Sequence, residues 1–352
     1  MTHTSLEQKI GQLFILGFTG ATLEAGHPIT EDISKRNLGG VILFDRFLAA
    51  SKKSNNIIDA NQLSELIASL QELADRPLLI AVDQEGGQVN RFKKERGFPV
   101  TPSAAELGQS PDLLKTIESA RQTARILGNA GINLNLAPVV DLNVNLENPI
   151  IGKCGRSFSA DPAIVTAHAE TWIKEHRQRG ILSCPKHFPG HGSSLADSHL
   201  GFVDITDTWS EDELLPYQHL IRRGLADAIM VGHLFNKKFD DRYPATLSRV
   251  TLQELLYRRL FFDGIVISDD MQMKAITGQF GLEDACCKAL AAGVDLLIIG
   301  NNLDHDPSIL TRVRDAILRG LDEGKISETR VETAWNRIQK FKNSITKDHG
   351  KR

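Results

Sequence analysis

Short apolar runs alternate with amphipathic stretches along almost the whole chain. The runs are Leu13–Phe18, Gly40–Phe44, Leu78–Asp83, Ile132–Asp141, Ile181–Lys186, Ala228–Leu234, Gly264–Asp269 and Val294–Gly300. Between them, apolar residues recur at helical spacing in Ala60–Ala74, Pro111–Asn129, Asp161–Arg179, Glu211–Gly224, Thr251–Leu260 and Leu282–Ala292. A strand that is apolar throughout is covered on both faces, which is the condition of a parallel sheet wrapped by helices. Eight such units predict an α/β fold, a TIM (β/α)8 barrel, with a doubly wound open sheet as the rival. Two more helical patterns, Ser308–Glu323 and Ser327–Ser344, follow the last run. They leave too little chain for a second domain, so one domain over residues 1–352 is expected. The first run has Glu7 upstream and no small-residue cleavage site after it, so it reads as a strand and not a signal peptide. No run reaches the length of a membrane-spanning helix.

Several runs end in polar residues: Asp83-Gln84-Glu85, Asp141, Lys186-His187, His233, Ser268-Asp269-Asp270 and Asn301-Asn302. In a barrel, those C-terminal ends converge on the face that carries active sites. Residues far apart in sequence are therefore expected to meet. Composition narrows the class. The 352 residues are 41% hydrophobic and 24% charged with a net charge of −3, which supplies no basic footprint for nucleic acid. The four cysteines, Cys154, Cys184, Cys286 and Cys287, have no CxxC spacing and suggest a reduced, intracellular chain.

The densest chemistry lies in Lys186–Gly192 and Asp197–His199, on a stretch too long to be a mere connector. Histidine and carboxylate are metal ligands. However, Pro189-Gly190 breaks any helical HxxxH pair at His187 and His191, and no HExxH-like motif is present, so no metal or other cofactor is expected. Asp197 and His199 are two apart, close enough for the carboxylate to fix the imidazole tautomer and leave the other nitrogen as a general acid; a solvated loop histidine is the alternative. Asp269 and Asp270 end an apolar run, where a carboxylate needs a partner or a task. One is expected to face the pocket and the other to cap the next helix. Asp83, Arg91, Arg156 and Lys186 suit a polyhydroxylated ligand. Met271 and Met273 read as packing.

Together, Asp83–Arg91, Gly155–Phe158, Lys186–Gly192 with Asp197–His199, and Ser268–Met271 resemble glycoside hydrolase family 3, and more narrowly its single-domain β-N-acetylglucosaminidases. The likeness runs from about residue 5 to about residue 340. Two departures stand out: Met271 where the family often has Leu, and Gly155 before the arginine where many members have Asp. The resemblance implies that Asp269 is the nucleophile of a retaining exo-glycosidase and that Asp197 and His199 form an acid/base dyad. It implies that Asp83, Arg91, Arg156, Lys186 and His187 hold an N-acetylglucosamine. It further implies a cell-wall muropeptide fragment or chitobiose-like sugar as substrate, met during peptidoglycan recycling in a bacterial cytoplasm, with neither nucleic acid nor membrane as partner. A phosphorylase or a broader β-glycosidase on the same scaffold remains open, as do a metal-dependent barrel enzyme and a non-catalytic sugar-binding protein.

Overall fold

Eight short strands lie where the apolar runs place them: β1 (Phe14–Gly17), β2 (Gly40–Leu43), β3 (Leu79–Val82), β4 (Leu134–Asn135), β5 (Leu182–Ser183), β6 (Ala228–Val231), β7 (Ile265–Asp270) and β8 (Leu296–Ile299). The structure is a computed structural model that describes residues 4–50, 53–110 and 112–347. The strands form one sheet in the order β5-β4-β3-β2-β1-β8-β7-β6, and every neighbouring pair is parallel. Its two edges are drawn together beyond β5, where the Phe188 amide donates to Met230 O and the Gly232 amide donates to Phe188 O, both at 2.9 Å. The result is the TIM barrel expected from the eight runs. β1, β2, β3, β6 and β8 are buried along their full length, which is why their sequences are continuously apolar.

β4 and β5 are far shorter than the runs Ile132–Asp141 and Ile181–Lys186. Side chains and prolines interrupt their ladders. Asn135 turns its amide onto the backbone of Gln84, taking its N–H and giving to its carbonyl, both at 3.1 Å. Pro138 and Pro185 then supply no amide hydrogen, and pairing resumes only at the isolated bridge Val139–Lys186. The chain beyond these strands still brings Asp141 beside His187, and Lys186 and His187 to the barrel mouth.

The helices follow the same logic. Pro162–Arg177 starts where Asp161 accepts from the Ala163 amide at 2.8 Å, and it buries Val165, Ala169, Trp172 and Ile173. The helix Ala60–Glu72 is capped by Asp59 and buries Leu63, Leu66, Ile67 and Leu70. The expected stretch Glu211–Gly224 divides into a 3₁₀ turn, Glu211–Leu214, and an α-helix, Leu215–Arg222, with Pro216 in its first turn. Val250–Arg259 takes the wider π-helical form. The expected start at Pro111 lies outside the described residues, and that helix runs Leu114–Ala130. Among the described residues, four α-helices were not expected: Leu6–Gly11, Pro28–Ser34, Ala104–Gly108 and Lys274–Phe280. Each is too short to display a helical period. The last two elements are Ile309–Asp322 and Glu328–Lys347, and no helix among the described residues is long and apolar enough to cross a membrane.

Candidate active site

The C-terminal ends of the strands surround a cavity of about 230 Å³. Asp83, Arg91, Arg156, Lys186, His187, His199 and Asp269 all border it. Asp197 stands behind His199. The barrel thus brings together all eight residues singled out in the sequence.

The floor is a buried ion network. Lys186 Nζ lies 2.7 Å from Asp83 Oδ1 and 2.7 Å from Glu85 Oε1. Arg156 grips Glu85 with two N–H donors, each at 2.8 Å, and also donates to Ile150 O. Burial opposes ionisation of Glu85, but Arg156 and Lys186 outweigh it and hold the carboxyl far below its ordinary range. Burial likewise disfavours the Lys186 ammonium, and Asp83 and Glu85 restore its charge. Arg91 is more loosely held, 3.7 Å from both Asp83 and Asp45, with its guanidinium over the Phe44 ring. His187 is fixed from behind: Asp141 Oδ2 lies 2.7 Å from its Nδ1, which leaves Nε2 toward the cavity and 3.3 Å from Arg156. Gly86 and Gly87 turn the chain between Glu85 and Arg91. Both have positive φ, and a Cβ on Gly86 would meet Pro102 O at 2.1 Å, so no larger residue fits.

Glu85 and Asp141 carry this arrangement, yet sequence reasoning gave neither a role. Both were visible as polar residues at strand ends. Spacing alone does not separate a group that bonds a sugar from one that bonds its neighbour.

Asp269 and Asp270 divide as expected in part. Asp269 faces the cavity. Burial by itself would raise its pKa. The rings of His187, His233 and His199 and the amide of Asp270 outweigh that and lower it to about 2, so the group is a carboxylate. Burial drives the His233 imidazole down. It is held by Thr246 Oγ1 at 2.8 Å and the Asp270 carbonyl at 2.9 Å, so it braces the strand end. Asp270 does not cap a helix. Its Oδ1 accepts from the Gln272 and Gly300 amides, each at 3.0 Å, tying β7 to β8; the next helix begins at Lys274 after Met273, with no side-chain cap. Met271 is wholly buried, as packing requires, whereas Met273 borders the cavity.

On the rim, Asp197 Oδ1 lies 2.8 Å from His199 Nδ1 and also accepts from the His199 amide at 2.8 Å. The segment is a turn, not an extended loop, since the Leu200 amide donates to Asp197 O. With Nδ1 committed to the carboxylate, Nε2 is left for a ligand. Among the described residues, no group of three or more His, Cys, Asp or Glu is arranged to hold a metal ion, and all four cysteines are free.

Known proteins are similar to this chain in sequence and architecture. The pattern described as the glycosyl hydrolase family 3 N terminal domain matches residues 5–341. The beta-hexosaminidase of Tolumonas auensis is 36% identical over 344 residues, covering 93% of this chain and 97% of its own. Beta-hexosaminidase LpqI of Mycobacterium tuberculosis is 34% identical over 323 residues, covering 90% of this chain and 78% of its own. Among solved structures, the glycoside hydrolase family 3 β-N-acetylglucosaminidase of Paenibacillus sp. superposes with a TM-score of 0.89 at 31% identity over 98% of this chain, which spans 63% of that protein's length. The β-N-acetylhexosaminidase of Beutenbergia cavernae gives a TM-score of 0.85 at 28% identity, over 97% of this chain and 100% of its own. A family pattern that spans nearly the whole barrel, and a 36% identical relative matched along 97% of its length, place this chain in glycoside hydrolase family 3.

Proposed function

We propose that this chain is a retaining exo-β-N-acetylhexosaminidase that releases terminal N-acetylglucosamine. The observation that carries the reading is one cavity with the ionised Asp269 on one side, the Asp197-braced His199 on its rim, and the Asp83–Lys186–Glu85–Arg156 network closing its floor. Asp269 attacks the anomeric carbon as the glycosidic bond breaks, and His199 gives a proton to the leaving oxygen. His199 then takes a proton from water, whose oxygen displaces Asp269 from the glycosyl-enzyme. Asp83, Arg91, Arg156, Lys186 and His187 hold the sugar. A floor closed by buried charges leaves room for a chain end, which favours exo action. The acid/base comes from the barrel's own loop, so a single domain carries every step.

Relatives bearing the name beta-hexosaminidase support the activity. The finer substrate is N-acetylglucosamine β-linked to a muramic-type sugar, with chitobiose as the simpler analogue, met in a reducing cytoplasm that suits four free cysteines. Phosphorolysis is the second reading. An imidazole at the acid/base position would not repel phosphate as a carboxylate would. Product analysis on chitobiose and on the muropeptide disaccharide, with and without phosphate, separates them. Free N-acetylglucosamine at an unchanged rate supports hydrolysis. A phosphate-dependent rate with sugar 1-phosphate as product supports phosphorolysis, and no cleavage of either sugar refutes both.

A further inference from the structure

The loop that carries Asp197 and His199 has little apolar anchorage. Leu195 and Leu200, on either side of the pair, are 73% and 76% exposed. Ser198, between Asp197 and His199, is by contrast buried at 2% exposure. Polar contacts account for this. His191 Nε2 lies 3.2 Å from Ser198 Oγ, and His191 Nδ1 lies 2.7 Å from Ser194 Oγ. The Ser198 carbonyl also accepts from the Ala275 amide, just beyond the Asp269 segment.

We infer that His191 and Ser198 are positioning residues: the buried imidazole clamps the loop at Ser194 and Ser198 and so sets the Asp197–His199 pair over the cavity. This deepens the acid/base reading above and rests on it. The anchor is itself hydrogen-bonded to the barrel. The His191 amide donates to Asp141 Oδ1 at 2.9 Å, and its carbonyl accepts from Asn148 Nδ2 at 2.7 Å. Asn148 also reaches Ser194 Oγ at 3.0 Å, and Asn145 holds Ser194 O at 2.9 Å. The His191 backbone is therefore tied to the same aspartate that orients His187. Burial lowers the imidazole to about 4, so the ring is neutral with one donor and one acceptor nitrogen. Two hydroxyls, each able to give or take, complement either tautomer. A net hydrogen bond of this kind shifts a loop equilibrium by roughly threefold to tenfold.

The test uses Ser198→Ala, which removes only the hydroxyl, in the parent and in a His199→Ala background. Pre-steady-state glycosylation is measured with chitobiose, a poor leaving group, and with a dinitrophenyl N-acetylglucosaminide, a good one. In the parent, Ser198→Ala should slow chitobiose by about threefold to tenfold, with a clearly smaller loss on the dinitrophenyl substrate. In His199→Ala the same change should add nothing on either substrate. Hydrogen exchange of residues 194–202 should speed up in Ser198→Ala while the barrel strands are unchanged. Equal losses on both substrates, or losses that persist in His199→Ala, would mean that Ser198 serves substrate or fold directly, and the clamp is overturned. If His199→Ala itself slows both substrates equally, the acid/base reading fails and takes the clamp with it. If His199→Ala is leaving-group dependent and Ser198→Ala has no effect, the clamp alone fails.

Discussion

Two adjacent aspartates with opposite pKa shifts show how much a single position decides. Asp269 is lowered to about 2, and Asp270 is raised to about 6 by burial, against the Gly300 and Gln272 amides that favour its charge. A group that titrates near 2 is fully charged from about pH 4 upward, so an acid limb of kcat/KM above that point must belong to another residue. Asp269→Asn should lower kcat by roughly 10³-fold or more, the scale seen when a nucleophile is removed. A 2-fluoro glycoside should label a peptide within 264–275, and a label elsewhere refutes the assignment. Asp270→Asn keeps an oxygen for the two amides and should lose far less. Glu85 presents a different case. It pairs with Lys186 and Arg156 at once. Without it Lys186 still has Asp83, but Arg156 loses its carboxylate, and removing one partner of a buried ion pair costs about 3–5 kcal/mol because a charge is left without compensation. Glu85→Ala should therefore show a large drop in denaturation midpoint as well as weak activity. A variant as stable as the parent would show that the network is far better hydrated than its burial implies.

At the scale of elements, the segment Lys186–Ser194 is held from two sides by carboxylates. Asp141, at the end of the chain leaving β4, takes the amides of His187 and His191. Glu213, in the 3₁₀ turn Glu211–Leu214, takes the Gly192 amide at 3.1 Å, and Gly190 passes so close that a Cβ there would lie 2.6 Å from the Glu213 side chain. Gly190 has φ +127°, so both backbone and space require glycine. Burial lifts the Glu213 carboxyl to about 7, with the nearby Ser193 and the Gly192 amide only partly opposing the rise. The folded chain then holds this proton more tightly than the unfolded chain, where a glutamate titrates near the ordinary value of about 4.3. The resulting stabilisation is complete below the unfolded value and is lost as pH rises through about 7. Glu213→Gln stays neutral and keeps an acceptor for the Gly192 amide. Its Tm relative to the parent should therefore improve as pH is raised from about 5 to about 8. A difference that stays constant over that range would mean that Glu213 titrates alike in the folded and unfolded chain.

Across the whole molecule, legibility followed burial. The barrel could be read because strands covered on both faces must be apolar throughout, as in Leu79–Val82 and Leu296–Ile299. The convergence of the eight candidate residues could be anticipated because a polar side chain at the end of such a strand, or in a motif matching a known family, has few other reasons to be there. What escaped was polar residues that serve other polar residues: Glu85 beneath Arg156, Asp141 behind His187, Glu213 beneath Gly192, His191 against Ser198. Their partners lie far away in sequence, and no local period marks them. The shortened β4 and β5 escaped for a related reason, since Asn135 replaces ladder bonds with side-chain bonds that no hydrophobic pattern records. This division of labour bears on specificity. A site whose polar donors and acceptors are held in place by one another discriminates strongly against a ligand that leaves them without partners, by more than a hydrophobic pocket can achieve. If Asp83, Arg91, Arg156, Lys186 and His187 are matched to a 2-acetamido sugar, an aryl β-N-acetylglucosaminide should surpass the aryl β-glucoside in kcat/KM by about 10²-fold or more. The two substrates share one leaving group, so the ratio reports the sugar alone. Comparable rates on both would mean that the floor reads only the hydroxyls common to the two sugars, and the chain would then act as a broader β-glycosidase.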